Sequence, residues 1–285
     1  QLMRLSIIIP ANNEEKAIRE VVAAARREYP DSEIIVVDDG STDETAALAE
    51  EQGARVISHP QSLGNGAAVK AGARAATGEV LVFLDADGQH DPADIPRLLE
   101  RMGEGYDMVV GARSSSSHAN TARLAANGIY NVIASMITGH RIPDLTSGFR
   151  AVKADLFRKF LYLLPNGFSY PTTITMAFLR AGYPVDFLPI VAQKRKGKSH
   201  IKPIKDGIRF LMIIFKIATL YAPLKLFLPT AVVFFTVGLG YYLYTFLSEG
   251  RFTNMSLLLF SAAVIVFLIG LISEQITALN YKSSE

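Results

Sequence analysis

Short β-branched runs alternate with Ala-rich or amphipathic segments over the first two thirds of the chain. Leu5–Ile9, Glu33–Val37, Arg55–Ser58, Val80–Leu84 and Met108–Val110 read as strands, and a further strand is expected near Val185–Val191. Helical patterning lies between them, including one stretch around Arg123–Ile137 and one over Thr172–Ala181. This βαβ alternation predicts an α/β domain: a mostly parallel, Rossmann-like sheet with helices on both faces and a ligand crevice outside the carboxyl ends of the strands. The pattern then changes. Leu226–Leu247 and Phe252–Ser273 contain no Asp, Glu, Lys, Arg or His, and only Ser248-Glu249-Gly250-Arg251 joins them. Each run is long enough to cross a hydrocarbon core of roughly 30 Å as a helix. The competing reading is a pair of buried core helices. Before them, Ile204–Tyr221 is apolar with Lys205, Arg209 and Lys216 along one side, as in a helix lying at a membrane interface with its cations reaching toward lipid phosphates. The expected organisation is therefore a catalytic domain over residues 3–200, amphipathic juxtamembrane helices over 201–225 and a transmembrane hairpin over 226–282.

Charge sharpens this picture. A formal net charge of +2 argues against a general nucleic-acid-binding surface. The positive charge is local: between Lys194 and Lys225 nine Lys or Arg face a single acid, Asp206. That excess places the flank of the first span, and with it the catalytic domain, on the cytosolic side; two spans return the tail to the same side. The run Leu5–Ile9 is too short and too quickly followed by Pro10 and polar residues to read as a signal peptide. With no cysteine in the chain, disulfides, thiolate metal sites and a Cys nucleophile are excluded.

Candidate chemistry collects just after the strands: Pro10-Ala11-Asn12-Asn13-Glu14-Glu15 after the first, Asp38-Asp39-Gly40-Ser41-Thr42-Asp43 after the second, and Asp85-Ala86-Asp87-Gly88-Gln89-His90 after the fourth. Asp43 and Asp91, the latter ahead of Pro92, read as helix caps. Asp85 and Asp87 are different, because alternate residues at a strand end project the same way and two carboxylates can share one hard cation. Mg2+ or Mn2+ there would bridge to a diphosphate, with Gln89 as a further oxygen ligand. His90 reads as a solvent-side neighbour rather than a ligand. Two other phosphate chemistries fail on sequence: Gly64-Asn65-Gly66-Ala67-Ala68-Val69 has Val at the sixth position of the dinucleotide fingerprint, and Ala192 occupies the first glycine of a phosphate loop ending at Gly197-Lys198-Ser199.

Taken in order, SIIIPANNEE, VVDDGSTDET, SLGNGAAVKAG, DADGQHDP, DLTSGFRAV and RKGKS resemble glycosyltransferase family 2, of GT-A fold, and within it the polyprenyl-phosphate and dolichyl-phosphate glycosyltransferases. The resemblance covers roughly residues 4–200. It implies that Pro10, Asn12, Glu14, Asp38 and Asp39 line the base and ribose pocket, that Gly66, Lys70 and Ala86 belong to the donor site, and that Asp85, Asp87 and Gln89 hold metal and diphosphate. Asn12 stands where relatives commonly carry an aromatic residue. A UDP-sugar is the first expectation for the donor, with GDP-mannose the alternative, and a polyprenyl or dolichyl phosphate is the implied acceptor. Such a phosphate, with a second pKa near 6, is already largely ionised at neutral pH, so alignment and cations matter more than a strong base. Arg113, Arg150, Arg195 and Lys198 suit that cationic role, and the resemblance supports Arg113 and a loop over Arg195–Ser199. Asp144 is either an acceptor-side acid or base, or the structural partner of Arg150. No nucleophile for a covalent intermediate is evident, and the family is of the inverting kind, so inversion at the anomeric carbon is expected. A processive polysaccharide synthase would need a translocating channel and a tryptophan-containing acceptor motif, whereas this chain has two apolar runs and no Trp. A catalytically idle membrane scaffold remains the alternative of another class. Gly238 and Gly240 are candidates for close helix contact between copies.

Overall fold

The computed structural model describes residues 4–113, 121–167, 170–191 and 221–282, together with 212, 215, 218 and 219. By internal contacts the chain divides into two units, one of Gln1–Ser135 with His140–Asp206 and one of Met136–Gly139 with Gly207–Glu285.

The first unit is built on a seven-stranded sheet of order β3-β2-β1-β4-β6-β5-β7, with β1 (Leu5–Ala11), β2 (Glu33–Asp38), β3 (Arg55–Ser58), β4 (Val80–Phe83), β5 (Met108–Arg113), β6 (Arg150–Lys153) and β7 (Val185–Ile190). Helices α1 (Ile18–Glu28), α2 (Thr45–Glu51), α3 (Asn65–Ala75), α4 (Ile95–Gly103), α5 (Thr121–Thr138), α6 (Ala154–Lys159) and α7 (Tyr170–Arg180) connect them. β1 and β4 are near-continuous apolar runs with buried side chains, as strands covered on both faces require. α1 contributes Ile18, Val21, Val22 and Ala25, spaced as one helical face, to the core beside Ile7, Ile9 and Val36.

Four of the six strand pairings are parallel; β6 runs antiparallel to both β4 and β5. The sequence pattern missed β6, a four-residue strand with a basic residue at each end. Its direction positions the site. An antiparallel strand begins where its neighbours end, and Arg150 pairs with Phe83, the last residue of β4. The preceding segment, Asp144–Phe149, is thus delivered to the carboxyl edge of the sheet. β1, β2, β4 and β5 all end at that edge, and the strand order reverses between β1 and β4, where ligands of open α/β sheets bind.

The second unit contains α8 (Pro223–Glu249) and α9 (Asn254–Lys282), both long and apolar enough to cross a membrane. Only 11% and 17% of their most apolar windows are buried, unlike core helices of a soluble domain. α8 ends at Gly250 in the left-handed region (φ 65°), and the Thr253 hydroxyl accepts from Ser256 N at the start of α9. The buried small residues are Ala231, Gly238 and Thr245 on α8 and Ser256, Ala263, Gly270 and Thr277 on α9, each seven apart. A seven-residue repeat of small side chains lets two helices pack closely along one seam. Gly238 is therefore used within the hairpin: a Cβ there would lie 3.0 Å from Leu259 Cβ, whereas Gly240 has nothing within 4 Å. The interfacial helix expected over Ile204–Tyr221 falls largely outside the described residues.

Candidate active site

A cavity of ≈ 460 Å3 opens at the carboxyl edge of the sheet, its lining including Pro10, Asn12, Glu14, Asp85, Asp87 and Arg113. The loops after β1 and β2 are tied together. Asn13, at φ 55°, accepts from Thr42 N through its side chain, while Glu14 N donates to the Thr45 hydroxyl at 2.8 Å. Asn tolerates this left-handed backbone better than other non-glycine residues.

Asp38 and Asp39 do different things. Asp38 is buried outside the cavity lining, and its Oδ1 accepts from Ser41 N at 3.1 Å, an ordinary turn cap. Asp39 lines the cavity, but its oxygens already accept four bonds: His59 Nδ1 (2.7 Å), Leu63 N (2.9 Å), the Ser62 hydroxyl (2.8 Å) and Gly64 N (2.8 Å). Burial would raise its carboxyl, and these four bonds outweigh that and hold it below the usual carboxylate range. Asp39 thus shapes the loop over residues 59–64. Gly66 and Lys70 lie outside the lining. Gly66 packs against the Pro165 carbonyl, and Lys70 Nζ binds the Leu164 carbonyl and Asn166 Oδ1.

Asp85, Ala86, Asp87 and Gln89 all line the cavity. The Asp85 side chain is 33% exposed, toward that space. Burial pushes its carboxyl up, but the His90 hydrogen bond and the positive charges of Arg113 and Arg150 hold it low, so it is ionised at neutral pH. Gly148 lies against it; a Cβ there would sit 2.7 Å from Asp85 Oδ1. The donor set suits a hard divalent ion. Among the described residues no three His, Cys, Asp or Glu side chains gather into a cage. Two carboxylates with remaining coordination left to phosphate and water is the arrangement Mg2+-like ions accept.

Asp38, Gly66 and Lys70, expected at the donor site, thus lie outside the lining, and three further expectations, for His90, Arg150 and Asp144, differ from the structure. His90 is not on the solvent side: its side chain is 1% exposed, its ring stacks on Phe149 (centroids 5.2 Å apart, 13° between planes), and Nε2 lies 3.2 Å from Asp85 Oδ2. Arg150 does not reach the cavity. It is fully buried, donating to the carbonyls of Ser147 and Pro171 and to the Thr175 hydroxyl. Burial lowers its pKa from the ordinary guanidinium value, though it remains a cation. Its charge braces the 145–149 segment from below.

Asp144 pairs not with Arg150 but with Arg113, in a fork: Nε to Oδ2 at 2.7 Å and Nη2 to Oδ1 at 3.0 Å, with the Thr146 hydroxyl accepting from Nη2 at 2.7 Å. Burial works against both ions. The bidentate bond outweighs it, lowering the Asp144 carboxyl and raising Arg113. Asp43 and Asp91 are local caps, accepting from Thr45 N and Ala93 N. Arg195 and Lys198 lie outside the described residues.

Residues 6–161 match the profile of glycosyl transferase family 2. The chain belongs to that family. Residues 222–279 match the GtrB C-terminal hairpin. A dolichyl-phosphate hexose transferase of Haloferax volcanii is 32% identical over 71% of this glycosyltransferase and 89% of its own length. An undecaprenyl-phosphate 4-deoxy-4-formamido-L-arabinose transferase of Pseudomonas fluorescens is 30% identical over 83% of this chain and 70% of its own. In fold, the family 2 chain is similar to glucosyl-3-phosphoglycerate synthase of Mycobacterium tuberculosis, crystallised with Mn2+, uridine diphosphate and phosphoglyceric acid. That match has a TM-score of 0.61 and 24% identity, covering 76% of this chain and 78% of that one.

Proposed function

We propose that this glycosyltransferase moves a sugar, with inversion, from a nucleotide-sugar onto a polyprenyl or dolichyl phosphate at a membrane surface. The observation that supports the reading is one cavity lined by Asp85 and Asp87 together with the Asp144-braced Arg113. Asp85, Asp87 and Gln89 would hold Mg2+ or Mn2+, which when bound neutralises charge developing on the departing diphosphate. Arg113, immobilised by its fork, presents fixed positive charge where two anions must approach. Asp144, its oxygens already accepting from Arg113, acts by aiming that guanidinium rather than by taking a proton. The acceptor phosphate needs little activation, and the relatives that transfer to lipid phosphates support that acceptor. Arg195 and Lys198 are assigned the same cationic role on sequence alone. A UDP-sugar is the first donor to try, since the fold relative binds uridine diphosphate.

The test is a screen of UDP- and GDP-sugars for transfer to a polyprenyl phosphate in detergent, with the product's anomeric configuration determined. Asp87→Ala should lose transfer by at least about 100-fold, the scale of losing a principal electrostatic stabiliser. Nucleotide-sugar binding without transfer to any lipid phosphate would instead support a scaffold, and a product of retained configuration would overturn direct displacement.

A further inference from the structure

We infer that His90 is a positioning residue for the cation site, holding the Asp85 carboxylate in its ligating orientation through a hydrogen bond from Nε2. The inference rests on the metal reading of Asp85 and Asp87 and goes beyond it.

Three observations converge. The ring is sealed in, with the side chain 1% exposed, and stacks nearly parallel on Phe149. Its Nε2 is 3.2 Å from Asp85 Oδ2, and that bond helps keep the carboxyl low. Its Nδ1 is buried with no hydrogen-bond partner among the described residues. A carboxylate only accepts, so Nε2 is the donor in this contact, while Nδ1 faces no partner among the described residues. The ring's packing and its one polar contact hold it in a single orientation toward Asp85.

The geometry around Asp85 shows why orientation has to be held. Gly148 approaches Oδ1 on one side, His90 binds Oδ2 on another, and Gly148 has no side chain with which to hold the carboxylate itself. Without His90 the carboxylate would be free to rotate about its Cα–Cβ and Cβ–Cγ bonds. Groups that orient ligating residues in this way typically change metal affinity by about 10- to 100-fold.

His90→Phe keeps an aromatic ring on Phe149 and removes only the donor; His90→Gln restores an N–H without the stack. The measurement is Mn2+ affinity in the presence of UDP, followed by the Mn2+ electron paramagnetic resonance signal on full-length protein in detergent. Melting temperature and UDP binding in chelator serve as folding controls. Mn2+ affinity should fall about 10- to 100-fold in His90→Phe, with UDP binding in chelator unchanged, and recover in part in His90→Gln. Wild-type Mn2+ affinity in a folded His90→Phe would overturn the inference. Should that variant not fold, unchanged affinity in a folded His90→Asn would overturn it equally, because the shorter Asn amide cannot reproduce the reach of Nε2 to Asp85. Asp87→Ala separates the two levels: if it too retains Mn2+ affinity, the metal reading itself fails.

Discussion

Asp144 is the residue whose replacement separates two kinds of chemistry. As a base it would set the pH dependence of the chemical step; as the brace of Arg113 it would set geometry and stability. The fork favours the second role. Asp144→Asn should lower turnover by about 10- to 100-fold, as a misplaced positioning group does. It should cost about 2–3 kcal/mol of stability, less than the 3–5 of a fully buried broken pair because Arg113 is partly open to the cavity. The pH profile adds a sign. Because folding lowers the Asp144 carboxyl, the unfolded chain takes up its proton first. The stabilisation is complete above the unfolded value of about 3.9 and is lost as pH falls through the lower folded one. Melting temperature between pH 7 and pH 3 should therefore fall less steeply in Asp144→Asn than in the parent protein. At this scale the sequence exposed what depends on local spacing. Asp85 and Asp87 stand out in the sequence as two acids just after a buried strand, and both line the cavity, although the strand ends at Phe83 and a turn rather than strand alternation carries them there. His90 and Arg150 were not readable, because what surrounds them, Phe149, Ser147, Pro171 and Thr175, comes from segments distant in sequence.

Among elements, legibility followed length and apolarity. β1, β2, β4 and β5 announce themselves as buried β-branched runs, but β6, with Arg150 and Lys153 around two small apolar residues, carries no such signal. Missing β6 meant missing why Gly148 meets Asp85. The apolar hairpin was legible as two long apolar helices, yet its packing was not, since hydropathy does not report which face is inward. The seven-residue repeat of small residues makes that face testable. Gly238→Leu should clash with Leu259 and Phe260 and cost about 1–3 kcal/mol, as overpacking does, whereas Gly240→Leu should be nearly neutral because nothing lies within 4 Å. Thermal unfolding of both variants in one detergent checks this. Equal losses would mean that Gly238 does not lie on the packed seam.

For the whole molecule the charge distribution predicts which side of the membrane holds the cavity, and that prediction can be tested. Nine Lys or Arg between Lys194 and Lys225 stand against one acid, while the turn between the two apolar helices offers only Arg251, which pairs with Glu249 at 2.6 Å. Carrying the basic flank across would be opposed by the positive-inside bias, and the short turn is the cheaper segment to translocate. A nucleotide-sugar made in the cytosol could then reach the Asp85–Asp87 cavity directly. Since the chain has no cysteine, single substitutions report topology without background. Ser248→Cys, exposed at the end of α8, should react with a membrane-impermeant maleimide in intact cells. Asp31→Cys, exposed in the catalytic domain, and Ser284→Cys, in the tail, should react only after permeabilisation. If Asp31→Cys were labelled in intact cells, the orientation would be reversed and the donor would have to come from outside. If Ser248→Cys and Ser284→Cys were labelled from the same side, the apolar helices would not form a spanning hairpin, and the lipid-phosphate acceptor would lose its physical basis.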